Sequence, residues 1–351
     1  MKYQKILLDR DIYLDNQHNN TNFDGLNISS LISQIGIETE WIRFPNKESV
    51  LLCDHPMLLS GRTILKAFKS KEFDNFQSWL EKFFKKNHCM TIVSEQELFH
   101  PEYIDVLHQI DDFGKPCRIL TPWRYGTYKN IKEYYHDLNA FALHPFDRAS
   151  SCMTGNSNFF SVCRTTIKPD RPGRAELIKN LEASNQESKM CLLDYNMAVA
   201  PDEYAEHMAQ RQKEGNDSRI PFDVYANCQV EIVCETNTTR PEVFYPTEKI
   251  YKPICGEIPF IALAAKGFLA GLRHRGFMTF GDIFDEGYDK IDDLDHRINA
   301  ICDLVKDNQK RDLKKLCRHI TRHNRKKFYE IYSSARVQYT EKLMKLVKLI
   351  K

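Results

Sequence analysis

Three consecutive residues, Thr247, Glu248 and Lys249, have side chains that suit a phosphate-bearing ligand. They stand where a helix-like segment begins, after a polar loop that follows a strand-like run ending at Glu235. Thr is a favourable helix N-cap, and the free N–H groups at a helix start favour an anion such as a diphosphate. Lys249 adds positive charge, and the carboxylate of Glu248 suits a vicinal diol such as that of a ribose. The group therefore fits a nucleoside diphosphate; the alternative is a solvated first turn with an ordinary acidic residue.

A second group of basic residues lies on another strand-to-helix connection. A strand is predicted to end at Cys163 and a helix to begin near Arg174. Guanidinium groups bind phosphate oxygens in a bidentate way, so this connection is a candidate diphosphate clamp. The alternative is a solvated basic loop. The cations on the connection are Arg164, Lys168, Arg171 and Arg174. Together the two connections would supply both halves of a nucleotide-diphosphate site within one domain.

The N-terminal part of the chain alternates between strand-like and helix-like segments. This alternation predicts an α/β fold with a parallel sheet and helices on both of its faces. The predicted helices include 29–36 and 73–87. The predicted strands are 5–9, 38–44, 49–53, 89–94, 117–122 and 139–144.

Near residue 150 a stretch rich in turn formers reads as a linker, and the alternation then begins again. Strands are predicted at 158–164, 190–196 and 259–264, and helices at 174–184, 247–256 and 266–276. We therefore predict two α/β domains, residues 1–150 and 151–303, followed by a basic helical tail, residues 304–351. Two such domains joined by one linker would enclose a cleft, which is a common place for a ligand.

Composition is that of a soluble globular protein. The chain has 351 residues, 42% hydrophobic and 28% charged. No apolar run approaches the roughly 18–20 residues needed to cross a bilayer, and the first residues lack the pattern of a signal peptide. The 11 cysteines are scattered and form no C-x-x-C pair, so we predict reduced core thiols and no zinc site. A cytoplasmic location is expected, with peripheral attachment to a membrane or to DNA left open.

The positive charge is concentrated at the C-terminal end. Residues 304–351 contain 15 Lys/Arg against four Asp/Glu, whereas the whole chain carries only +2. Two apolar stripes at helical spacing predict that this tail is helical. The stripes are Leu313, Leu316, Cys317 and Ile320, and then Leu343, Leu346, Val347 and Ile350. Three alternatives remain: a helix packed on the body with a solvated charged face, a contact with anionic lipid, and a contact with nucleic acid.

The stretch "CETNTTRPEVFYPTEKI" resembles the donor-binding motif of the α-1,3-fucosyltransferases, which are inverting GT-B enzymes. Glu235 matches the first glutamate of that motif, and Glu248 and Lys249 match the pair that holds the ribose and diphosphate of a GDP-sugar. Thr236-Asn237 departs from the Asn-Ser/Thr order of the family. The upstream pattern of strand, turn and helix-opening arginine is similar too, and it maps the phosphate-binding arginine onto Arg174.

Further along, "PFIALAAKGFLAGLRHRGFMTFGDIFDEGYD" departs from the fucosyltransferases and looks more like glycosyltransferase-like proteins of phages and other viruses. The resemblance covers residues 155–300. It implies a GT-B fold with two Rossmann-like domains and transfer of a sugar from a nucleoside-diphosphate sugar, GDP- or UDP-linked, as the donor. The donor is a substrate, and no separate cofactor is implied. A glycan or a hydroxymethylated DNA base is the expected acceptor.

An inverting transfer needs a group that takes the proton of the acceptor hydroxyl. The candidates are acids that follow predicted strands in the first domain: Asp9, Asp11, Asp54, Glu95 and Glu97. The resemblance favours a glutamate that follows a strand and a serine, which indicates Glu95, and Asp9 is the second candidate. We predict no bound metal, because enzymes of this kind stabilise the leaving diphosphate with cations and a helix dipole.

The rival class of function is non-catalytic. In it, a GT-B-like shell would recognise a polyanion, either nucleic acid or a membrane, through the basic tail and would turn nothing over.

Overall fold

The computed structural model describes most of the chain, in separate ranges. They are residues 5–9, 36–42, 50–51, 55–69, 76–94, 102–121, 127–135, 159–164, 173–183, 190–193 and 225–350. The chain divides into two compact units. Unit 1 comprises Met1–Leu143 and Ser334–Lys351, and unit 2 comprises His144–Ser333.

Unit 1 contains a six-stranded sheet in which every neighbouring pair is parallel. The strand order is β2-β1-β3-β4-β5-β6. The strands are β1 (Lys5–Asp9), β2 (Glu38–Ile42), β3 (Met57–Ser60), β4 (Met90–Val93), β5 (Cys117–Thr121) and β6 (Ile131–Tyr135). The helices are α1 (Gly61–Lys69), α2 (Phe76–Lys86) and α3 (Glu102–Asp112).

The central strands of unit 1 are short and buried along their whole length. All four residues of β3 and all four of β4 are buried, as expected for parallel strands with both faces covered. The strand predicted at 49–53 is wrong, because Val50 and Leu51 are helical. A short apolar run does not distinguish a strand from a buried helix, and the strand lies further on, at β3. The predicted strand 139–144 falls outside the described residues.

Unit 2 contains a four-stranded sheet, again parallel throughout, in the order β10-β9-β7-β8. The strands are β7 (Phe159–Arg164), β8 (Met190–Leu193), β9 (Cys228–Cys234) and β10 (Phe260–Leu263). The helices are α4 (Arg174–Ala183), α5 (Glu248–Gly256), α6 (Phe268–His274), α7 (Leu294–Asn308) and α8 (Leu313–Ile350). With the sheet of unit 1, this arrangement confirms the predicted α/β fold class built on parallel sheets.

The order of strands in unit 2 reverses around β7. The chain continues from β7 to β8 on one side, whereas β9 lies on the other side of β7. In open parallel sheets, ligands bind outside the carboxyl ends of the strands at such a switch point. Here those ends are Arg164 of β7 and Cys234 of β9. A ligand site is therefore expected at this edge of the sheet.

The basic C-terminal region, residues 304–351, comprises the C-terminal end of α7 and all of α8. The first predicted apolar stripe is partly right: Leu313, Cys317 and Ile320 are buried, whereas Leu316 is 41% exposed. The part of the apolar stripe that packs against unit 2 is therefore narrower than the stripe predicted from the spacing. Among the described residues, no helix is both long and apolar enough to cross a bilayer.

The last part of α8 belongs to the core of unit 1. Leu343, Leu346 and Val347 are completely buried and join a cluster that includes Ile6 and Leu8 of β1. Ile350 is in the helix, but its side chain is outside the described part. Ser334–Lys351 is thus part of unit 1.

Candidate functional site

A chain of contacts joins two strand-to-helix connections at the switch point of unit 2. It runs from Arg174 to Cys234, then to Glu235, Thr247 and Lys249. We call these residues, together with Thr236, the switch-point cluster. The two connections that carry the predicted basic and acidic site residues are therefore brought together by direct hydrogen bonds.

Arg174 reaches the cluster from the first turn of α4. Its side chain is only 3% exposed, and its Nη2 donates to the carbonyl oxygen of Cys234 at 2.8 Å. Gly173, immediately before it, has φ +87°, and a Cβ there would lie 3.1 Å from the side chain of Leu294 in α7. Glycine is needed for this turn, so Gly173 lets α4 begin close to α7 and sets where Arg174 points.

Glu235, the first residue after β9, is a buried carboxylate with 1% exposure. Its Oε1 accepts from the backbone N–H of Thr247 at 3.1 Å, and its Oε2 accepts from the Thr247 hydroxyl. Oε2 also accepts from the backbone N–H of Thr236 at 3.3 Å. Buried charges persist when they are hydrogen-bonded in this way. Glu235 therefore ties the end of β9 to the start of α5.

Thr247 is the N-cap of α5, as predicted. It has extended backbone angles, and its Oγ1 accepts from the backbone N–H of Lys249 at 3.3 Å. Lys249 Nζ lies 3.2 Å from Thr247 Oγ1 and 3.4 Å from Thr236 Oγ1. An ammonium, a guanidinium and the positive end of a helix thus meet at one strand edge, an arrangement that favours a bound anion.

The loop between β9 and α5 is held by Asn237. Its Nδ2 donates to the carbonyl oxygens of Arg240 and Val243, both at 2.9 Å, and its Oδ1 accepts from the N–H of Arg240. Its own carbonyl accepts from the N–H of Ala265, beyond β10, at 2.8 Å. Asn237 therefore holds this loop as a turn by bonding to its backbone groups.

Arg297 of α7 also holds the loop that follows β9. The sequence analysis did not identify this residue. It is 2% exposed, and its Nη1 donates to the carbonyl oxygens of Thr238 and Ala264 at 2.9 and 2.6 Å. Its Nε and Nη2 donate to Ile291, and Nη2 donates to Asp292. Burial lowers the pKa of this guanidinium, yet arginine stays charged at neutral pH. The segments after β9 and β10 are thus held together by one side chain.

A sequence signal for Arg297 existed. Leu294, Arg297, Ile298 and Ile301 fall at i, i+3, i+4 and i+7, so an arginine occupies a position on the apolar stripe of a helix. An arginine in such a place must find buried acceptors. Which carbonyls it binds depends on contacts distant in sequence.

A cavity of about 380 Å³ opens just past the carboxyl end of β10. Basic and acidic side chains both line it: Lys266, Arg273, Lys290, Asp285, Glu286 and Asp289. Burial raises the pKa of Glu286 and of Asp289. Both carboxylates accept hydrogen bonds, Glu286 from Arg273, Thr279 and the N–H of Phe280, and Asp289 from the N–H of Leu269. None of the residues predicted from the sequence lines this cavity.

The remaining predicted donor-site residues are placed only in part. Glu248 is the first residue of α5, and Arg164 is the last residue of β7, but the side chains of both are outside the described part. Arg171 and Lys168 lie outside the described residues altogether. The roles predicted for these four residues stay predictions.

The base candidates belong to unit 1. Asp9 ends β1 and pairs with Ile42 of β2. The strand order of this sheet reverses between β1 and β3, so the backbone of Asp9 lies at a switch point too. Its side chain is outside the described part. Glu95 follows the buried Ser94 directly after β4, and it lies outside the described residues, as do Asp11, Asp54 and Glu97.

No metal-binding group was found where the structure can be described: those ranges contain no cluster of three or more His, Cys, Asp or Glu side chains arranged to hold an ion. Of the two Asp-x-Asp triplets in the sequence, the one at 293–295 has a structural use. Asp293 is the N-cap of α7, and its Oδ1 accepts from the N–H of His296 at 2.8 Å.

No protein-family model and no curated protein sequence matches this chain. Two solved structures are similar to it at low identity. The spinosyn rhamnosyltransferase SpnG, complexed with thymidine diphosphate, is 10% identical over 95% of this chain and 99% of its own, with a TM-score of 0.34. An α1,3-fucosyltransferase with GDP is 12% identical over 94% and 90%, with a TM-score of 0.30. Likenesses at these scores do not indicate an activity.

Proposed function

We propose that the protein is a glycosyltransferase that moves a sugar from a nucleoside-diphosphate sugar to an acceptor hydroxyl. The observation that carries the proposal is the hydrogen-bonded path from Arg174 through Cys234 and Glu235 to Thr247. It brings a guanidinium, a capped helix start and Lys249 to the carboxyl ends of parallel strands at a switch point. This is where the fold favours a nucleotide, and the charges suit its diphosphate.

Residues of the switch-point cluster, and others on the same two strand-to-helix connections, have separate roles in this proposal. Arg174 and Lys249 hold the diphosphate, supported by the N–H groups that open α5, and Arg164 or Arg171 adds a further cation. Glu248 holds the ribose. Glu235 lies near the donor sugar in this proposal, and it also acts as a positioning residue, because its carboxylate accepts hydrogen bonds from the N-cap Thr247.

The proposed reaction is a single displacement. The acceptor oxygen forms a bond to the anomeric carbon of the donor as the bond from that carbon to the diphosphate oxygen breaks. The diphosphate leaves with the bonding electron pair, and Arg174, Lys249 and the dipole of α5 stabilise its charge. A carboxylate takes the acceptor proton. Attack opposite the leaving group inverts the anomeric configuration, and the protein groups named here neutralise the leaving group without a metal.

Asp9 and Glu95 are the proposed bases, and both follow parallel strands of unit 1. Asp9 lies at the switch point of that sheet, and this position supports its role as the base because ligands bind at switch points. A glycan or a hydroxymethylated DNA base is the proposed acceptor, because each offers the hydroxyl that the displacement needs.

The test is slow hydrolysis of a sugar nucleotide, with water in place of the acceptor. Wild-type protein is incubated with GDP-, UDP- and thymidine-diphosphate sugars, and release of the diphosphate is followed with time. We expect one donor to be hydrolysed, the activity to be lost in Arg174→Ala, and Lys179→Ala on the exposed face of α4 to behave as wild type. Absence of turnover with every donor, in protein that still binds duplex DNA, would favour the non-catalytic polyanion-binding class instead.

A further inference from the structure

The first half of α8 carries a row of four cations on its exposed side. Lys315, Arg318, Arg322 and Lys326 are all exposed, and their spacing of three, four and four residues keeps them within an arc of about 80° over about 16.5 Å of helix. We call these residues the α8 cationic row. In the part of the chain that the structure describes, no acidic side chain pairs with any of them.

The opposite side of the same segment is fixed to unit 2. Leu313, Cys317, Ile320 and Phe328 are buried, and Asn324 exchanges hydrogen bonds with the backbone of Met278 in both directions. The row is thus presented by a helix that is held along its length, and the cations cannot be drawn inward.

Nearby cations that serve the fold differ from the row in their partners. Lys314 is buried, and its Nζ donates to the carbonyl oxygens of Tyr225 and Ala226 at 2.7 and 2.9 Å. Arg325 Nη1 lies 2.8 Å from Glu257 Oε1, and Lys327 pairs with Glu330. Structural roles therefore account for these three cations but for none of the row. Residues 310–327 contain nine Lys/Arg against one acidic residue, Asp312.

The surroundings of the row favour nucleic acid over a lipid surface. A helix that binds in a membrane interface buries an apolar face among the lipids, but here that face is packed against protein, and Leu316 is the large apolar residue left exposed beside the row. A duplex offers regularly spaced phosphates, and about 16.5 Å of its axis passes about five phosphates of each strand. The row offers four cations over the same length, on a helix that is held against unit 2.

We propose that the α8 cationic row is a contact surface for the phosphate backbone of duplex nucleic acid. The contact is independent of base sequence, because the row offers only charges and its helix cannot leave the body to enter a groove. The surface does not depend on the switch-point cluster, and the two can be tested separately in one protein.

The experiment compares full-length wild type with two charge-matched variants. The row variant carries Lys315→Gln, Arg318→Gln, Arg322→Gln and Lys326→Gln. The control carries four exposed lysines changed to Gln elsewhere: Lys85, Lys115, Lys345 and Lys348. Binding of a labelled duplex of about 20 base pairs is measured by fluorescence anisotropy between about 50 and 200 mM salt. Sedimentation with vesicles of phosphatidylcholine and phosphatidylserine is measured alongside.

We expect the row variant to lose at least about tenfold in duplex affinity near 100 mM salt, and its plot of log affinity against log salt to flatten by about 3 to 4, at about 0.9 per phosphate contact. The control should keep the wild-type slope. Equal affinity of row variant and wild type, or an equal loss in the control, would overturn the proposal. So would wild-type binding to vesicles but not to the duplex. Unchanged diphosphate binding and thermal melting in the row variant would confirm that fold and donor site are intact.

Discussion

The switch-point cluster and the α8 cationic row are both positively charged parts of unit 2, but they are built differently. In the cluster, each polar group is held by a neighbour: Arg174 by the carbonyl of Cys234, Thr247 by Glu235, and Lys249 by two hydroxyls. In the row, four cations follow a helical spacing, and the described residues include no acidic partner for any of them.

The difference indicates what each surface can recognise. Fixed donors that converge from two strand ends can select one small ligand by its shape and its charges. A line of exposed cations attracts any regular polyanion, and its affinity falls as salt rises. Under the two proposals, positive charge serves two purposes in unit 2, and the local packing of the cations separates them. Substitutions in the cluster should leave duplex affinity unchanged, and substitutions in the row should leave diphosphate affinity unchanged. A change in either would contradict this difference.

The largest effect should come from Arg174→Ala. If Arg174 binds the diphosphate as proposed, loss of its guanidinium should weaken nucleoside diphosphate binding at least about 100-fold, or about 2.7 kcal/mol. Duplex DNA affinity should not change. Calorimetry and anisotropy on the same sample measure both. Arg174→Lys should recover part of the diphosphate affinity, because charge returns without the fork; full loss in both variants with a lowered melting temperature would make Arg174 purely structural.

Arg297→Lys should destabilise the protein by about 2 kcal/mol, since a lysine can reach fewer of the four carbonyls that Arg297 now binds. Urea unfolding measures this change. The loop after β9 should also loosen, so diphosphate affinity should fall at urea concentrations where the protein is still folded. The exposed Arg322→Lys, which preserves the row, is the matched control and should change neither quantity. A stable Arg297→Lys variant with normal affinity would show that the carbonyl clamp is dispensable.

Glu248→Ala should reduce nucleoside diphosphate affinity about tenfold, equivalent to about 1.4 kcal/mol, by removing the proposed ribose contact. The melting temperature should stay near that of wild type. Glu242→Ala changes an exposed acid in the same loop and should leave binding unaltered. The nucleobase without its ribose should bind wild type and Glu248→Ala equally weakly, because the proposed contact of Glu248 is to the ribose. If Glu248→Ala unfolds the protein as it loses the ligand, Glu248 is structural.

The smallest effect concerns Cys317, on the buried side of α8 behind the row. Burial raises the pKa of its thiol to about 12, well above the roughly 8.5 of an unfolded cysteine. Any stability linked to this thiol is therefore present below about pH 8.5 and is lost as the pH rises toward 12. At pH 8, iodoacetamide should label Cys317 only after unfolding in urea, as mass spectrometry of peptides would show. Labelling in the native state would mean that this helix is not held against the body and that the row is not fixed.

Much of unit 2 was predictable from the sequence because its signals are local. The segments β7, α4, α5, β10 and α6 all fall within the ranges predicted for them. Thr247 was identified as an N-cap from its residue type and its place before a helical pattern, and the structure confirms it. Capping chemistry and apolar runs act over a few neighbouring residues, so they can be seen without the fold.

What the sequence could not predict depends on long-range contacts. The bond from Arg174 to the carbonyl of Cys234 joins residues 60 positions apart, and no spacing announces it. Leu316 fits the apolar stripe by spacing, yet it is exposed because the body covers only one side of that stripe. Val50 and Leu51 were predicted as a strand but are helical, because a short apolar run is compatible with either structure.

The most direct test of the central claim is calorimetric titration of GDP, UDP, CDP, ADP and thymidine diphosphate into the wild-type protein. We predict that one of the five binds with a dissociation constant in the micromolar range, about −8 kcal/mol, at least about tenfold more tightly than the others. If none of the five binds, the switch-point cluster is not a nucleotide site and the glycosyltransferase proposal is wrong.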